Sequence, residues 1–163
     1  MLGASAVLGR RTVKLLLLDE SDRVLLLRGD ERADGQSIWF PVGGGIEDGE
    51  DAGAAALREI DEETGRRDVS IGPEVWRRQH LYSWRGTYTD THERWFVVRT
   101  SHFTPSPRGL TDDEQSYITG FRWWTAEELA STTEQVFPPD LGPRLLDLLR
   151  DGPPPSPIDI SSP

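Results

Sequence analysis

Cysteine is absent from the 163 residues. That single absence excludes a disulfide framework, a thiolate zinc site and a cysteine nucleophile. Long apolar runs are also missing. The longest, Leu15 to Leu18 and Val24 to Leu27, have the length of strands, far short of the roughly 20 residues that span a bilayer. Met1 to Gly9 carries neither the basic segment nor the longer apolar segment of a secretory signal. No membrane partner and a cytoplasmic location are therefore expected. Positive charge is scarce, with 18 basic against 28 acidic residues and a formal net charge of −10. A chain this acidic repels polyanions at long range, so no nucleic-acid polymer is expected as a partner. A small phosphorylated substrate remains compatible if a divalent cation bridges it to carboxylates. Lysine is nearly missing: Lys14 stands alone and the other 17 basic residues are arginine. Arginine grips phosphate with a planar fork, although background composition explains the bias equally well.

What is present reads as one domain with a sizeable core, since 163 residues leave little room for a second. Residues 11–19 and 23–28 read as strands joined by the polar turn Asp19 to Asp22, which predicts a β-hairpin. Their unbroken apolar runs predict strands covered on both faces. A short apolar segment, Ile38 to Val42, leads into Gly43-Gly44-Gly45. From Glu50 to Thr64 alanine and leucine predict a helix, with Asp48 as N-cap and Gly65 as its stop. Strands are expected over 75–84, 94–100 and 117–124, with a loop around Gly86 to Thr91. Thr125 to Glu128 has the form of a capping box. Residues 138–150 form a last helix with Leu141, Leu145, Leu148 and Leu149 on one stripe. The resulting division is a flexible N-terminus over 1–10, one domain over 11–151 and a disordered Pro/Ser-rich tail over 152–163. Strands on both sides of a helix, with more helices later, give a mixed α/β sandwich.

Chemistry concentrates in residues 44–66. Glu59, Glu62 and Glu63 fall at i, i+3 and i+4 and share one helix face. Gly53, Leu57, Ile60 and Thr64 are expected to form a separate face that docks on the sheet. Three adjacent carboxylates repel one another, and a hard divalent cation with oxygen ligands, Mg²⁺ or Mn²⁺, would relieve that repulsion. On spacing alone, a solvated acidic surface is the more ordinary reading.

The flanking residues change that balance. Gly44, Glu50, Arg58-Glu59, Ile60, Glu62-Glu63 and Gly65 stand where the 23-residue Nudix box has its glycine, glutamate, Arg-Glu, apolar, Glu-Glu and glycine positions. Only its final apolar position departs, being Arg66, which touches packing and no ligand. The segment resembles the Nudix hydrolase (MutT-like) superfamily. This resemblance implies an α/β/α sandwich around a central mixed β-sheet. It implies Mg²⁺, with Mn²⁺ as a substitute, held by Glu59, Glu62, Glu63 and the carbonyl of Gly43. It gives Gly44, Glu50, Arg58 and Gly65 structural roles, with Glu50 and Arg58 as an ion pair tying loop to helix. The general base is Glu59 in some members and a glutamate of a later loop in others. Glu114 is the candidate for the latter, with Asp113 and Glu93 as substitutes. The implied reaction is attack of water at phosphorus, splitting the diphosphate linkage of a nucleoside diphosphate derivative.

The substrate is less legible. Tyr82 lies sixteen residues beyond the box, where members that cleave diadenosine polyphosphates often carry a tyrosine. Leu81 stands where ADP-ribose-specific members have a proline. Arg28, Arg77, Arg78 and Arg85 are candidate phosphate contacts, Arg28 and Tyr82 being singled out as substrate residues. Six tryptophans are read mainly as core, and the three dispersed histidines have no zinc-site spacing. The resemblance also allows a homodimer. Two alternatives stand beside hydrolysis. One is an isoprenoid diphosphate isomerase of the same fold, disfavoured by the absent cysteine. The other is a catalytically silent nucleotide-sensing module, disfavoured by the intact box glutamates.

Overall fold

The computed structural model describes residues 7–30, 36–84, 87–106, 109–110, 112 and 118–161, with the backbone alone at 82–84. The elements in chain order are β1 (Leu8–Leu18), β2 (Val24–Asp30), β3 (Ser37–Gly45), α1 (Ala52–Thr64), β4 (Glu74–Trp84), β5 (Thr87–Arg99) and β6 (Ile118–Trp124). They are followed by α2 (Ala126–Ser131), β7 (Gln135–Val136), α3 (Leu141–Asp151) and β8 (Ile158–Asp159). The strands form one mixed sheet in the order β6-β2-β3-β1-β5-β4-β8, with β7 beside β3. β1 and β5 are parallel over eleven residue pairs, from Leu8 beside Thr89 to Leu18 beside Arg99.

The leucine runs explain the layers. Side chains alternate along a strand, so Leu15 and Leu17 point one way and Leu16 and Leu18 the other, and all four are buried. Leu15, Leu17, Leu25, Leu27 and Val42 pack with Ala55, Ala56 and Ile60 of α1. Leu16, Leu18, Val24, Leu26, Trp95 and Trp124 pack with Leu129 of α2 and Leu141, Leu145 and Leu148 of α3. Each fully buried leucine contributes about 1.5–3 kcal/mol relative to exposure. Both faces of the sheet are covered, as the unbroken runs predict, and the architecture is the expected α/β/α sandwich.

Several local expectations need correction. β1 and β2 pair only at Leu18 and Val24, so the hairpin splays at once. β3 fills the opening, its first half antiparallel to β2 and its second half antiparallel to β1. The turn itself is held by Asp19, whose side chain accepts from the backbone N–H groups of Ser21 and Arg23. Asp51 is the N-cap of α1, accepting from Ala54 N–H at 2.7 Å. Asp48 belongs to the turn before it. The loop expected around Gly86 to Thr91 is largely strand, because β4 and β5 stay paired out to Trp84 and Thr87. The capping box at Thr125 is present with both of its bonds, Glu128 N–H to Thr125 and Thr125 N–H to Glu128.

The two chain ends also differ from expectation. β1 starts at Leu8, inside the segment read as flexible. Residues 152–161, read from composition as a disordered tail, lie against the sheet. β8 runs parallel to β4, Ile160 is buried at 2% exposure, and Ser161 Oγ accepts from Gln79 N–H at 2.8 Å. Ile160 outweighs the flanking prolines: one buried isoleucine and the backbone ladder give this segment an ordered place. It also covers the β4 edge, which would otherwise present unpaired backbone groups.

Candidate active site

The buried positions of α1 are Ala52, Ala55, Ala56, Glu59, Ile60, Glu63 and Thr64. This is the i, i+3, i+4, i+7, i+8 stripe of a docked helix. It corrects the expectation of separate acidic and apolar faces. Leu57, expected in the docking face, is 43% exposed, while Glu59 and Glu63 are 7% and 3% exposed. Alanine accounts for the rotation: Ala52, Ala55 and Ala56 let the helix lie close to the sheet. That closeness brings two carboxylates to the end of β3 instead of into solvent. Glu62, one position round the helix, stays at the rim with its side chain 36% exposed.

The end of β3 receives them. Gly43 N–H donates to Glu63 Oε1 at 2.8 Å. Any side chain on Gly44 would overlap the carboxylate of Glu59. Gly44 is therefore required by the close approach of a carboxylate to backbone, and Gly43 by the Val13 carbonyl of β1, which a side chain there would overlap. Glu59 and Glu63 are fixed around the Gly43–Gly44 peptide.

Arg58 connects the rest. Its Nε and Nη2 donate to the two oxygens of Glu50 at 2.8 Å each, and Nη2 also donates to the carbonyl of Gly45 at 2.9 Å. Nη1 donates to Glu59 Oε1 at 2.8 Å and to Glu62 Oε2 at 3.4 Å. One guanidinium thus ties the loop before α1, the end of β3 and two box carboxylates together. A bidentate arginine pair is the strong form of such a contact. The hydrogen bonds from Arg58, followed by one from Glu47 N–H, hold the Glu50 carboxyl down to about 2 from its ordinary 4.5. Arg58 is raised in turn, chiefly by Glu50.

The helix end is clamped by a segment remote in sequence. Gly65 closes α1 in the left-handed region, φ 78°, with its N–H on the Asp61 carbonyl. The next free carbonyls, Thr64 and Glu62, accept from Ser106 N–H at 2.8 Å and Gly109 N–H at 3.1 Å. Arg66, the departure from the box pattern, lays its guanidinium 4.9 Å from the Phe103 ring and donates to Ser101 Oγ. Nothing in the sequence signals this clamp, because the partners are about forty residues apart.

The remaining candidates are placed as follows. Glu114 and Asp113 lie outside the described residues, as does Arg85, and Tyr82 is described only as backbone in β4. Arg28 is exposed on β2, bonded to Ser37 Oγ at 2.9 Å and 5.9 Å from the Trp39 ring. Arg77 is bound to Glu74. Glu93 is buried at 2% exposure on β5, where it meets His80 at 2.9 Å and Trp95 Nε1 at 3.1 Å. It shares that strand face with Trp95, which packs with α3 and not α1. Glu93 therefore serves a buried polar cluster with Arg78, whose Nη1 is 3.7 Å away.

The donor set fits a hard divalent cation. It consists of oxygens only, from Glu59, Glu62 and Glu63, with no sulfur or imidazole. Among the described residues no three acidic or imidazole side chains already converge as a finished cage. Arg58 instead balances two of the carboxylates. Nor, among the described residues, is any helix long and apolar enough to cross a membrane.

Comparison with known proteins bears on the family and the fold. The family described as NUDIX domain matches residues 8–145. The chain is 32% identical over 131 residues to an RNA pyrophosphohydrolase of Novosphingobium aromaticivorans, covering 74% of this chain and 80% of that one. It is 33% identical over 148 residues to an RNA pyrophosphohydrolase of Brucella ovis, covering 79% of each. Among solved structures, a MutT protein from Methanosarcina mazei superposes with a TM-score of 0.67 at 17% identity, covering 89% of this chain and 98% of that one. An Ap4A hydrolase from C. elegans superposes at 0.59 with 16% identity, covering 86% and 98%. These last two likenesses speak for the fold. With a complete box built around Glu59, Glu62 and Glu63 and a family match across most of its length, the chain belongs to the Nudix family of hydrolases, which split the diphosphate linkage of nucleotide derivatives.

Proposed function

We propose that the chain is a Mg²⁺-dependent pyrophosphohydrolase, with Mn²⁺ as a substitute, whose cation is held by Glu59, Glu62, Glu63 and the Gly43 carbonyl. The observation that carries this reading is the burial of Glu59 and Glu63 against the Gly43–Gly44 peptide. Burying two carboxylates is costly unless they are paired or bind a cation, and here both lie around one glycine peptide with Glu62 at the rim. Bound there, Mg²⁺ would neutralise charge on the diphosphate oxygens and favour ionisation of water. The protein's own share is positional. The Gly43 N–H fixes one oxygen of Glu63, and Arg58 fixes Glu59 and Glu62 relative to the loop. A carboxylate, Glu59 or Glu114, takes the proton from the attacking water as its oxygen bonds to phosphorus. The P–O bond to the leaving phosphate breaks, and both products leave as phosphates.

The substrate in this reading is a small nucleotide, met in the cytoplasm: a nucleoside triphosphate or a dinucleoside polyphosphate, with Arg28 and Tyr82 as contacts. A homodimer is compatible with it. A second reading, the triphosphorylated 5′ end of an RNA, is favoured by the names of the relatives that share a third of their sequence with this chain. The net charge of −10 weighs against an extended polyanion. A panel of nucleoside triphosphates, diadenosine polyphosphates, ADP-ribose and 5′-triphosphorylated RNA oligonucleotides, each with Mg²⁺ or with chelator, decides between them. Mg²⁺-dependent release from a small nucleotide at a kcat/KM above that of RNA supports the first reading, and the reverse order supports the second. No release from any of them with Mg²⁺ would leave a silent nucleotide-sensing module as the better account.

A further inference from the structure

Gly109 occupies an unusual place for a loop residue. A Cβ built on it would stand 2.8–3.0 Å from Cα, Cβ and Cγ of Glu62, closer than real side chains approach. Its N–H donates to the Glu62 carbonyl at 3.1 Å, and three residues earlier Ser106 N–H donates to the Thr64 carbonyl. A helix leaves its last carbonyls without internal partners, and these two amides serve two of them. The contact bears on the stem of Glu62, whose carboxylate is the least buried of the three box acids and only 3.4 Å from Arg58. Glu59 and Glu63 are held by the sheet. Glu62 has contacts from both Arg58 and Gly109.

We infer that Gly109 is a positioning residue, its missing side chain letting its backbone lie against Glu62 and hold that carboxylate in place for the cation. The inference rests on Glu62 being a cation ligand, as proposed above. A methyl group at 109 must move either the Gly109 backbone or the Glu62 stem. A displacement as small as a few tenths of an ångström matters more for Mg²⁺, which demands near-ideal octahedral geometry, than for a larger and more tolerant ion such as Ca²⁺.

The test is direct Mn²⁺ binding to the full-length protein, read by calorimetry or by the electron paramagnetic resonance of free Mn²⁺, with no substrate present. Gly109→Ala is expected to weaken Mn²⁺ binding about 10-fold or more, the size typical of lost support behind a ligand. Gly9→Ala, which enters open space, should bind as wild type does. In a double-mutant cycle, Gly109→Ala should have no further effect once Glu62→Gln is present. A purely structural role would lower the unfolding midpoint and leave the two effects additive. Additive effects, or unchanged Mn²⁺ binding by Gly109→Ala, overturn the inference while leaving the proposed function standing. Failure of the wild-type protein to bind Mn²⁺ overturns both. Should Gly109→Ala not fold, hydrogen exchange on the wild type asks the same question, because coupling is reciprocal. Mn²⁺ or Mg²⁺ should then slow exchange of the Gly109 amide, and no change in its protection overturns the inference.

Discussion

Arg58 and Glu50 are joined by two parallel hydrogen bonds of 2.8 Å, from Nε to Oε2 and from Nη2 to Oε1. The pair does more than fasten a loop, because the same guanidinium reaches Glu59 and Glu62 through Nη1. Replacing Arg58 with lysine keeps the charge but loses the fork. The expected result for Arg58→Lys is a fall of about 10–100-fold in kcat/KM, together with a higher Mg²⁺ concentration for half-maximal rate. Steady-state rates over a Mg²⁺ titration check this, and an unchanged Mg²⁺ requirement would argue that Arg58 acts on the loop alone.

Acid should destabilise the protein, beginning below neutrality. Glu50 is held at about 2 against an ordinary 4.5. Between those values the unfolded chain binds a proton that the folded one does not, so stability is complete above pH 4.5 and is lost as pH falls toward 2. Asp19 acts in the same direction. Burial opposes its ionisation, but the Arg23 N–H, the His102 ring and the Ser21 N–H outweigh that and leave it lowered. His80 is lowered from 6.5, first by burial and against the attraction of Glu93. Its neutral form is favoured by folding, so its contribution is complete above 6.5 and fades as pH drops. Urea unfolding at a series of pH values should show a midpoint that falls steadily from pH 7 downward. In Glu50→Gln the part of that fall below pH 4.5 should shrink.

The terminal segment should matter for stability and not for chemistry. Ile160 is almost fully buried in the cluster formed with α3, and its N–H donates to the Arg77 carbonyl. Ile160→Ala is expected to cost about 2–4 kcal/mol of unfolding free energy, the usual range for such a cavity. Its kcat/KM at 25 °C should stay within about twofold, roughly 0.4 kcal/mol in the barrier, since Ile160 packs in the α3-side cluster and α1 in the cluster on the other face. Denaturant unfolding and steady-state rates on one preparation check both halves.

These cases mark what was legible in the sequence. The apolar runs Leu15 to Leu18 and Val24 to Leu27 announced strands buried on both faces, and that is where both core clusters meet. The box residues Gly44, Glu50, Arg58 and Glu59 were readable because the contacts that join them to one another are local, within about fifteen positions. The insertion of β3 between β1 and β2 was not legible, because a polar turn signals a hairpin whether or not a third strand later divides it. The order of residues 152–161 was missed for a related reason. Composition weighed the prolines and serines but could not weigh Ile160 against a pocket built by distant strands. The rotation of α1 that buries Glu59 and Glu63 was hidden too, since alanine carries little periodic signal and Leu57 drew the apolar face the wrong way.

Gly44 offers a steric check on the same arrangement. A methyl group there would meet the Glu59 carboxylate, so Gly44→Ala must displace Glu59 or the β3 backbone. The expected outcome is loss of most Mg²⁺-dependent activity with the tryptophan fluorescence of the folded state retained. Full activity would mean that Glu59 does not need its place beside Gly44.

The central claim is that the buried carboxylates at the end of β3 hold the cation that makes the reaction possible, and Glu63 is the most buried of them. Glu63→Gln keeps the size of the side chain and an oxygen for the Gly43 N–H, and removes the charge. The decisive measurement is kcat for Mg²⁺-dependent phosphate release by Glu63→Gln, on the best substrate of the panel and at saturating substrate. A fall of about 100-fold or more, roughly 2.7 kcal/mol in the barrier, with an unfolding midpoint near that of the wild type, is the predicted result. Equal rates for Glu63→Gln and the wild-type protein would contradict the account.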